Sequence, residues 1–168
     1  MKRLLPVFSL VALVALLLGC PAESEPAIDG SQFLLSTAPG EELEVIAARE
    51  SVSDGDDVVI VGRIGGGANP WIEDRAAFKI VDNSLKACSD IPGDQCPIPW
   101  DYCCETDKLP TSTALVKVVD ENGELVKADA RKLLNVEELS TVIVQGKAQR
   151  DDAGNLTVLA TGIYVKET

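Results

Sequence analysis

Most of the cysteines in this 168-residue chain lie in one short stretch, with four of the five between positions 88 and 104. Cysteine sulfur can form disulfide bonds, bind a metal ion as thiolate, or act as a nucleophile in redox chemistry. Each of these three roles is possible for the same four residues, which are Cys88, Cys96, Cys103 and Cys104.

A disulfide framework leaves two pairings open. A bond between the adjacent Cys103 and Cys104 would close a strained ring, so each of them must pair with Cys88 or Cys96. Each bridge would stabilise the fold by about 2–4 kcal/mol. Residues 83–112 need such support, because they contain four prolines and few aliphatic side chains.

The alternative is a metal site in which the four thiolates bind zinc or copper, metals that thiolate ligands favour. Its weakness is the spacing, because the C-x2-4-C chelate typical of structural zinc sites is missing. Redox thiols fit less well still, since there is no C-x-x-C motif. An oxidising compartment would favour disulfides, so the location of the protein helps to decide between disulfide bonds, a metal site and redox thiols.

The N-terminus predicts that location. Lys2 and Arg3 precede an apolar run over residues 4–18, which is the arrangement of a secretory signal. The run is shorter than the roughly 20 residues that a membrane-spanning helix needs. We therefore expect the chain to be exported.

The apolar run ends in Leu-Leu-Gly-Cys at residues 17–20, which resembles the lipobox of bacterial lipoproteins. That resemblance implies removal of residues 1–19 and attachment of acyl chains such as palmitate to Cys20. Because Pro21 follows the cysteine, it also implies the outer membrane, with the protein facing the periplasm. Acyl chains bury many methylenes, each contributing about 0.8 kcal/mol to membrane anchoring.

Residues 20–42 predict a flexible tether, because they are rich in Pro, Ser, Gly and Glu. The apolar island at residues 33–35 is either a first contact with the folded part or an isolated apolar spot. Residues 43–168 are enough for one domain.

The charge of the chain limits its partners. The formal net charge is −12, and it becomes more negative once Lys2 and Arg3 leave with the signal. Such a chain repels phosphates, so we expect no nucleic-acid binding. The chain also has no histidine, which excludes haem attachment through histidine, histidine-based zinc hydrolases and Ser-His or Cys-His nucleophiles.

Runs of β-branched residues between turn residues predict strands at residues 58–64, 76–82, 114–120, 141–150 and 156–165. Asn122 and Gly123 predict a tight hairpin that returns through residues 124–128. Residues 130–139 predict a short helix, and residues 43–52 predict a helix or strand that enters the domain.

The order of three strands, a helical connector and a hairpin resembles the OB fold. Gly62 and Gly146 lie in mid-strand, where a small barrel needs residues without a Cβ. The resemblance implies a mainly β domain, a five- to six-stranded OB-like barrel with one short helix and a Cys-rich insertion at residues 83–112. A small β-sandwich is the alternative. Similarity to small periplasmic OB-fold proteins is topological and implies no functional residues.

Trp71, Trp100 and Tyr102 lie in predicted loops and form the candidate binding surface. The alternative is that they cover the end of the barrel. We expect a non-enzymatic binding or interaction module of the cell envelope with a disulfide-stapled loop, held at the membrane by its lipid anchor and binding an unidentified envelope protein or small ligand.

The rival hypothesis is a four-cysteine metal-binding or thiol-redox protein. The positions of the sulfur atoms separate the two hypotheses. Sulfurs paired in two bridges indicate the module, whereas sulfurs that converge on one point indicate a metal site.

Overall fold

Strands dominate residues 28–167, the part of the chain that the computed structural model describes. The predicted signal and the candidate lipidation site Cys20 lie outside these described residues. Within residues 28–167, no helix is both long and apolar enough to cross a bilayer.

Six strands and five short helices make up the described part of the chain. The strands are β1 (Leu43–Glu44), β2 (Asp57–Ile64), β3 (Ala77–Val81), β4 (Thr113–Val118), β5 (Thr141–Arg150) and β6 (Leu156–Val165). The α-helices are α1 (Val45–Ser51), α2 (Leu109–Ser112) and α3 (Ala130–Leu134), and the 3-10 helices are Gly30–Phe33 and Cys88–Asp90.

The strands form a barrel because their pairings make a closed ring. β2 pairs antiparallel with both β3 and β5, and β3 pairs antiparallel with β4. β4 then pairs in parallel with β6, which returns antiparallel to β5. The short β1 adds to β2 in parallel. This ring, with α3 between β4 and β5 along the chain, is the OB-like arrangement predicted, and the alternative of a sandwich is wrong.

The barrel interior is filled by alternate side chains of its strands. In β4, Ala114, Val116 and Val118 are buried, and the residues between them are half-exposed. A period of two is expected for a strand with one face against a core. Lys79 of β3 is exposed, but Val81, two residues later on the same face, is buried because the cysteine-rich insertion covers that end of the strand.

Two mid-strand glycines lie where neighbouring backbones approach closely. A Cβ on Gly146 would lie 2.1 Å from the carbonyl oxygen of Leu159, and the register of β5 shifts between Gln145 and Gly146. A Cβ on Gly62 would lie 2.8 Å from the carbonyl oxygen of Val81. The prediction that the barrel needs residues without a Cβ at these two positions is therefore confirmed.

The chain turns at Gly123 and returns as predicted, since the amide of Val126 donates to the carbonyl of Val118 at 3.0 Å, but residues 124–128 form a single bridge, Val119–Leu125, and no regular strand. The carboxylate of Asp120 accepts hydrogen bonds from the amides two and four residues later, each at 2.9 Å. The turn is thus held by a side chain, which replaces part of the strand pairing.

Helix boundaries also differ from the sequence pattern. The helix predicted over residues 130–139 ends at Leu134, because Asn135 adopts a left-handed conformation with φ of 51°. Asparagine is one of the few residues that end a helix in this way. Residues 43–52, predicted as helix or strand, contain both β1 and α1.

Part of the predicted tether, residues 20–42, contacts the barrel in the structure. Phe33, at the end of the 3-10 helix Gly30–Phe33, is buried against the barrel core. The amide of Leu35 donates to the carbonyl of Ile163 at 2.8 Å. The apolar island at residues 33–35 therefore contacts the barrel, and the described segment from residue 30 onward belongs to the folded part.

Gly146→Ala should lower the free energy of unfolding by about 1–3 kcal/mol, because the added methyl overlaps the Leu159 carbonyl oxygen. Gly40→Ala is the control, since a Cβ at Gly40 meets open space. Urea unfolding followed by circular dichroism measures both variants. Equal stability of the two variants would contradict the tight contact at Gly146.

Candidate metal centre

The four cysteines lie in the insertion between β3 and β4, as predicted for residues 83–112. This insertion folds back on itself. The amide of Cys88 donates to the carbonyl of Asp101 at 2.8 Å, and the amide of Ser89 donates to the carbonyl of Pro99 at 2.9 Å. These two hydrogen bonds bring Cys88 next to residues 102–104.

Tyr102 attaches the insertion to the barrel. Its ring is fully buried in a small second core that includes Val81 and Leu85. A Cβ on Gly65 would lie 2.6 Å from this ring, so a glycine is needed there to make room. Because Cys103 follows directly, the burial of Tyr102 fixes the point from which Cys103 projects.

Two carboxylates fix the backbone beside Cys88 and Cys96. Asp90 accepts a hydrogen bond from the amide of Ala87 at 3.1 Å and forms an ion pair with Arg63 of β2. Asp94 accepts from the amide of Cys96 at 2.8 Å. The sequence interpretation missed both carboxylates, although for Asp94 an aspartate two residues before a turn amide is a known local signal.

The sulfur atoms converge on Cys103. Its Sγ lies 3.3 Å from Sγ of Cys88, 3.8 Å from Sγ of Cys96 and 3.9 Å from Sγ of Cys104. The sulfurs of Cys88, Cys96 and Cys103 all lie within 4.8 Å of one another. Sulfurs arranged tetrahedrally around zinc at about 2.3 Å would stand about 3.8 Å apart. The spacing of the cluster matches that of a thiolate metal site.

All four cysteines of the insertion are free thiols in the structure. A disulfide bond is about 2.05 Å long, which is shorter than every distance given above. Of the two pairings left open by the sequence, the geometry agrees better with the one that joins Cys88 to Cys103, the nearest pair. The disulfide framework stays a prediction.

The electrostatics of the cluster oppose free thiolates. Burial raises the pKa of the Cys88 thiol to about 12, and its hydrogen bond with Cys103 adds to this effect. For Cys103, the hydrogen bond with Cys88 lowers the pKa, but the hydrogen bond with Cys96, desolvation and the neighbouring Cys104 together raise it. Redox nucleophiles need a lowered thiol pKa, so the raised pKa values of these two residues argue against thiol exchange.

The candidate aromatic surface is wrong, because its three rings do not form an exposed patch. Trp71 is 7% exposed, and Tyr102 is fully buried. The indole of Trp71 donates to Glu138 at 2.7 Å. Trp100 is half-buried, and its indole donates to the carbonyl of Ala68 at 3.1 Å. The two indoles instead donate to neighbouring loops, and Tyr102 belongs to the small second core.

Comparisons with known proteins add little to this geometry. No family model matches the chain, and no curated protein matches it. Among solved structures, the chain is similar to a hypothetical protein, ygiW from E. coli, with 15% sequence identity. That match covers 76% of this chain and 94% of the other, with a TM-score of 0.39.

Asp90→Asn should lower the free energy of unfolding at neutral pH by about 1 kcal/mol, because an amide weakens the charge-assisted hydrogen bonds to Arg63 and Ala87. The hydrogen bond from Arg63 holds the pKa of Asp90 below its ordinary value of 3.8. The contribution of the carboxylate is therefore complete above that value and is lost as pH falls through the lower pKa of the folded state.

Denaturant unfolding of both proteins between pH 7 and about pH 2.5 measures this effect, and the difference in stability should shrink at the acid end. Asp107→Asn is the control, since Asp107 is exposed and forms no ion pair with any described residue. A difference for Asp90→Asn that stays constant over this range would argue against a role for the carboxylate charge.

Proposed function

We propose that this protein is a lipid-anchored lipoprotein of the cell envelope whose OB-like barrel binds a soft metal cation, zinc or copper(I), through cysteine thiolates. The observation that carries this proposal is the cluster formed by Cys88, Cys96 and Cys103, whose sulfurs all lie within 4.8 Å of one another. Thiolate ligands select these metals over the harder calcium and magnesium ions.

The location in the envelope is supported by the sequence. Lys2 and Arg3, the apolar run and the lipobox-like residues 17–20 stand in the order that a lipoprotein signal requires. Mass spectrometry of the N-terminal peptide from membrane fractions tests it, because the mature chain would begin at an acylated Cys20.

The surroundings of the cluster favour a cation. Acidic side chains outnumber the two lysines within residues 83–112, so the insertion carries a negative potential that raises the local concentration of cations. These acidic residues are Asp90, Asp94, Asp101, Glu105 and Asp107.

Protons compete with the metal for the same sulfurs. Thiols bind metal only as thiolates, so uptake of the ion releases their protons. Because the pKa of Cys88 is raised to about 12, its proton is lost at neutral pH only when a cation replaces it. We therefore expect the affinity for zinc to rise with pH between about pH 6 and 8, which competition with a chromophoric chelator would measure.

A second candidate function is the interaction module with a disulfide-stapled loop. The 3.3 Å approach of Cys88 and Cys103 favours it, because a small movement would bring the two sulfurs to bonding distance. Export to an oxidising compartment would supply the conditions under which this disulfide bond forms. Its partner would be an envelope protein or a small ligand.

Elemental analysis and thiol counting on the full chain distinguish the two functions. The chain is extracted from membranes in detergent without reductant, and its metal content is measured. It is then denatured with chelator and alkylated. We expect one zinc or copper per chain and four alkylated thiols in residues 83–112.

The control variant is Cys103→Ser, which removes the sulfur common to the three short distances and should abolish metal binding. A chain without metal whose thiols are alkylated only after reduction would overturn the metal site and support the stapled module.

A further inference from the structure

Cys104 stands apart from the other sulfurs of the cluster. The three sulfurs that lie within 4.8 Å of one another belong to Cys88, Cys96 and Cys103, and Cys104 is not among them. Its Sγ is nevertheless 3.9 Å from Sγ of Cys103. The chain therefore holds one thiol more than the triad uses, at bonding reach of an ion that Cys103 also binds.

Exposure of the sulfurs increases across the cluster. Cys88 is buried, Cys96 is half-buried, and Cys103 and Cys104 are exposed. An ion held by Cys88, Cys96 and Cys103 would be bound by one buried, one half-buried and one exposed residue. An ion held by Cys103 and Cys104 would lie at the surface, within reach of ligands in solution.

We propose that Cys104 is an exchange ligand through which the bound ion leaves the triad for an external acceptor with soft ligands, so that the protein passes its metal on. This inference rests on the proposed metal-binding function and adds that the bound ion is transferred to an acceptor. The acceptor that fits this chemistry best presents thiolates, the softest ligands that proteins offer.

The exchange step keeps all atoms and charges in balance. Cys104 loses its proton as its sulfur bonds to the ion, and the bond from the ion to the Cys88 sulfur breaks. The Cys88 thiolate takes up a proton from solvent, which balances the proton that Cys104 releases. Cys96 and Cys103 stay bound during this step, and neither the ion nor any sulfur changes oxidation state. An acceptor ligand then replaces the protein sulfurs one at a time.

The role of Cys104 can be distinguished from that of the triad, because the two affect different measured quantities. Equilibrium affinity depends on the triad, so loss of Cys104 should leave it nearly unchanged. The rate of exit depends on the exposed intermediate, so loss of Cys104 should slow it. A permanent fourth ligand would behave in the opposite way, since its loss would weaken binding.

The test compares the full chain with Cys104→Ser and Cys104→Ala, each loaded without oxygen with one equivalent of copper(I) or zinc. A chromophoric chelator in excess serves as the acceptor, and absorbance reports both the final distribution and the rate of transfer. We expect an affinity within about threefold of the parent chain and a transfer rate at least tenfold lower. Thr106→Ala, a change at an exposed residue nearby, is the control and should transfer at the parent rate.

An unchanged transfer rate in both Cys104 variants would overturn the exchange role. An affinity reduced about a hundredfold would also overturn it, because Cys104 would then be a permanent ligand. Both results leave metal binding itself intact. Failure of the parent chain to take up either ion would instead refute the proposed function on which the inference rests.

Discussion

The burial of Tyr102 is the constraint on which the cysteine-rich insertion depends. Tyr102 is the largest fully buried side chain in residues 28–167. Full burial of such a ring stabilises by about 1.5–3 kcal/mol, but its hydroxyl has no hydrogen-bond partner among the described residues, which costs about 1–3 kcal/mol. The net gain is small, so the insertion needs further fixed contacts, such as the ion pair between Arg63 and Asp90.

A metal ion would supply such a contact, because it joins sulfurs from both arms of the folded-back insertion. Cys88 lies in one arm, and Cys103 lies in the other beside Tyr102. Binding free energy at a site formed only in the folded chain is also folding free energy. The bound ion would thus also support the structure of the insertion. Its removal would loosen the insertion while the barrel core stays closed.

The barrel could be predicted from the sequence more fully than the site. β5 and β6 have the predicted boundaries, because long β-branched runs between turn residues fix them. The short pairing of the return after Asp120 could not be predicted, since it keeps one bridge and the Asp120 side chain also holds the turn. The cluster was predicted by composition alone. Its convergence depends on hydrogen bonds such as that from Cys88 to Asp101, which no spacing rule encodes. Trp71 and Tyr102 were misjudged because loop position says little about burial.

X-ray absorption at the metal edge tests the central claim most directly, because it reports the atoms bound to the ion. The full chain is loaded with zinc or copper(I) without oxygen and measured beside Cys103→Ser. The convergence of sulfurs on Cys103 predicts a shell of three or more sulfurs, at about 2.3 Å for zinc, that is lost in the variant. A shell of oxygen and nitrogen alone, or the same sulfur shell in Cys103→Ser, would contradict it.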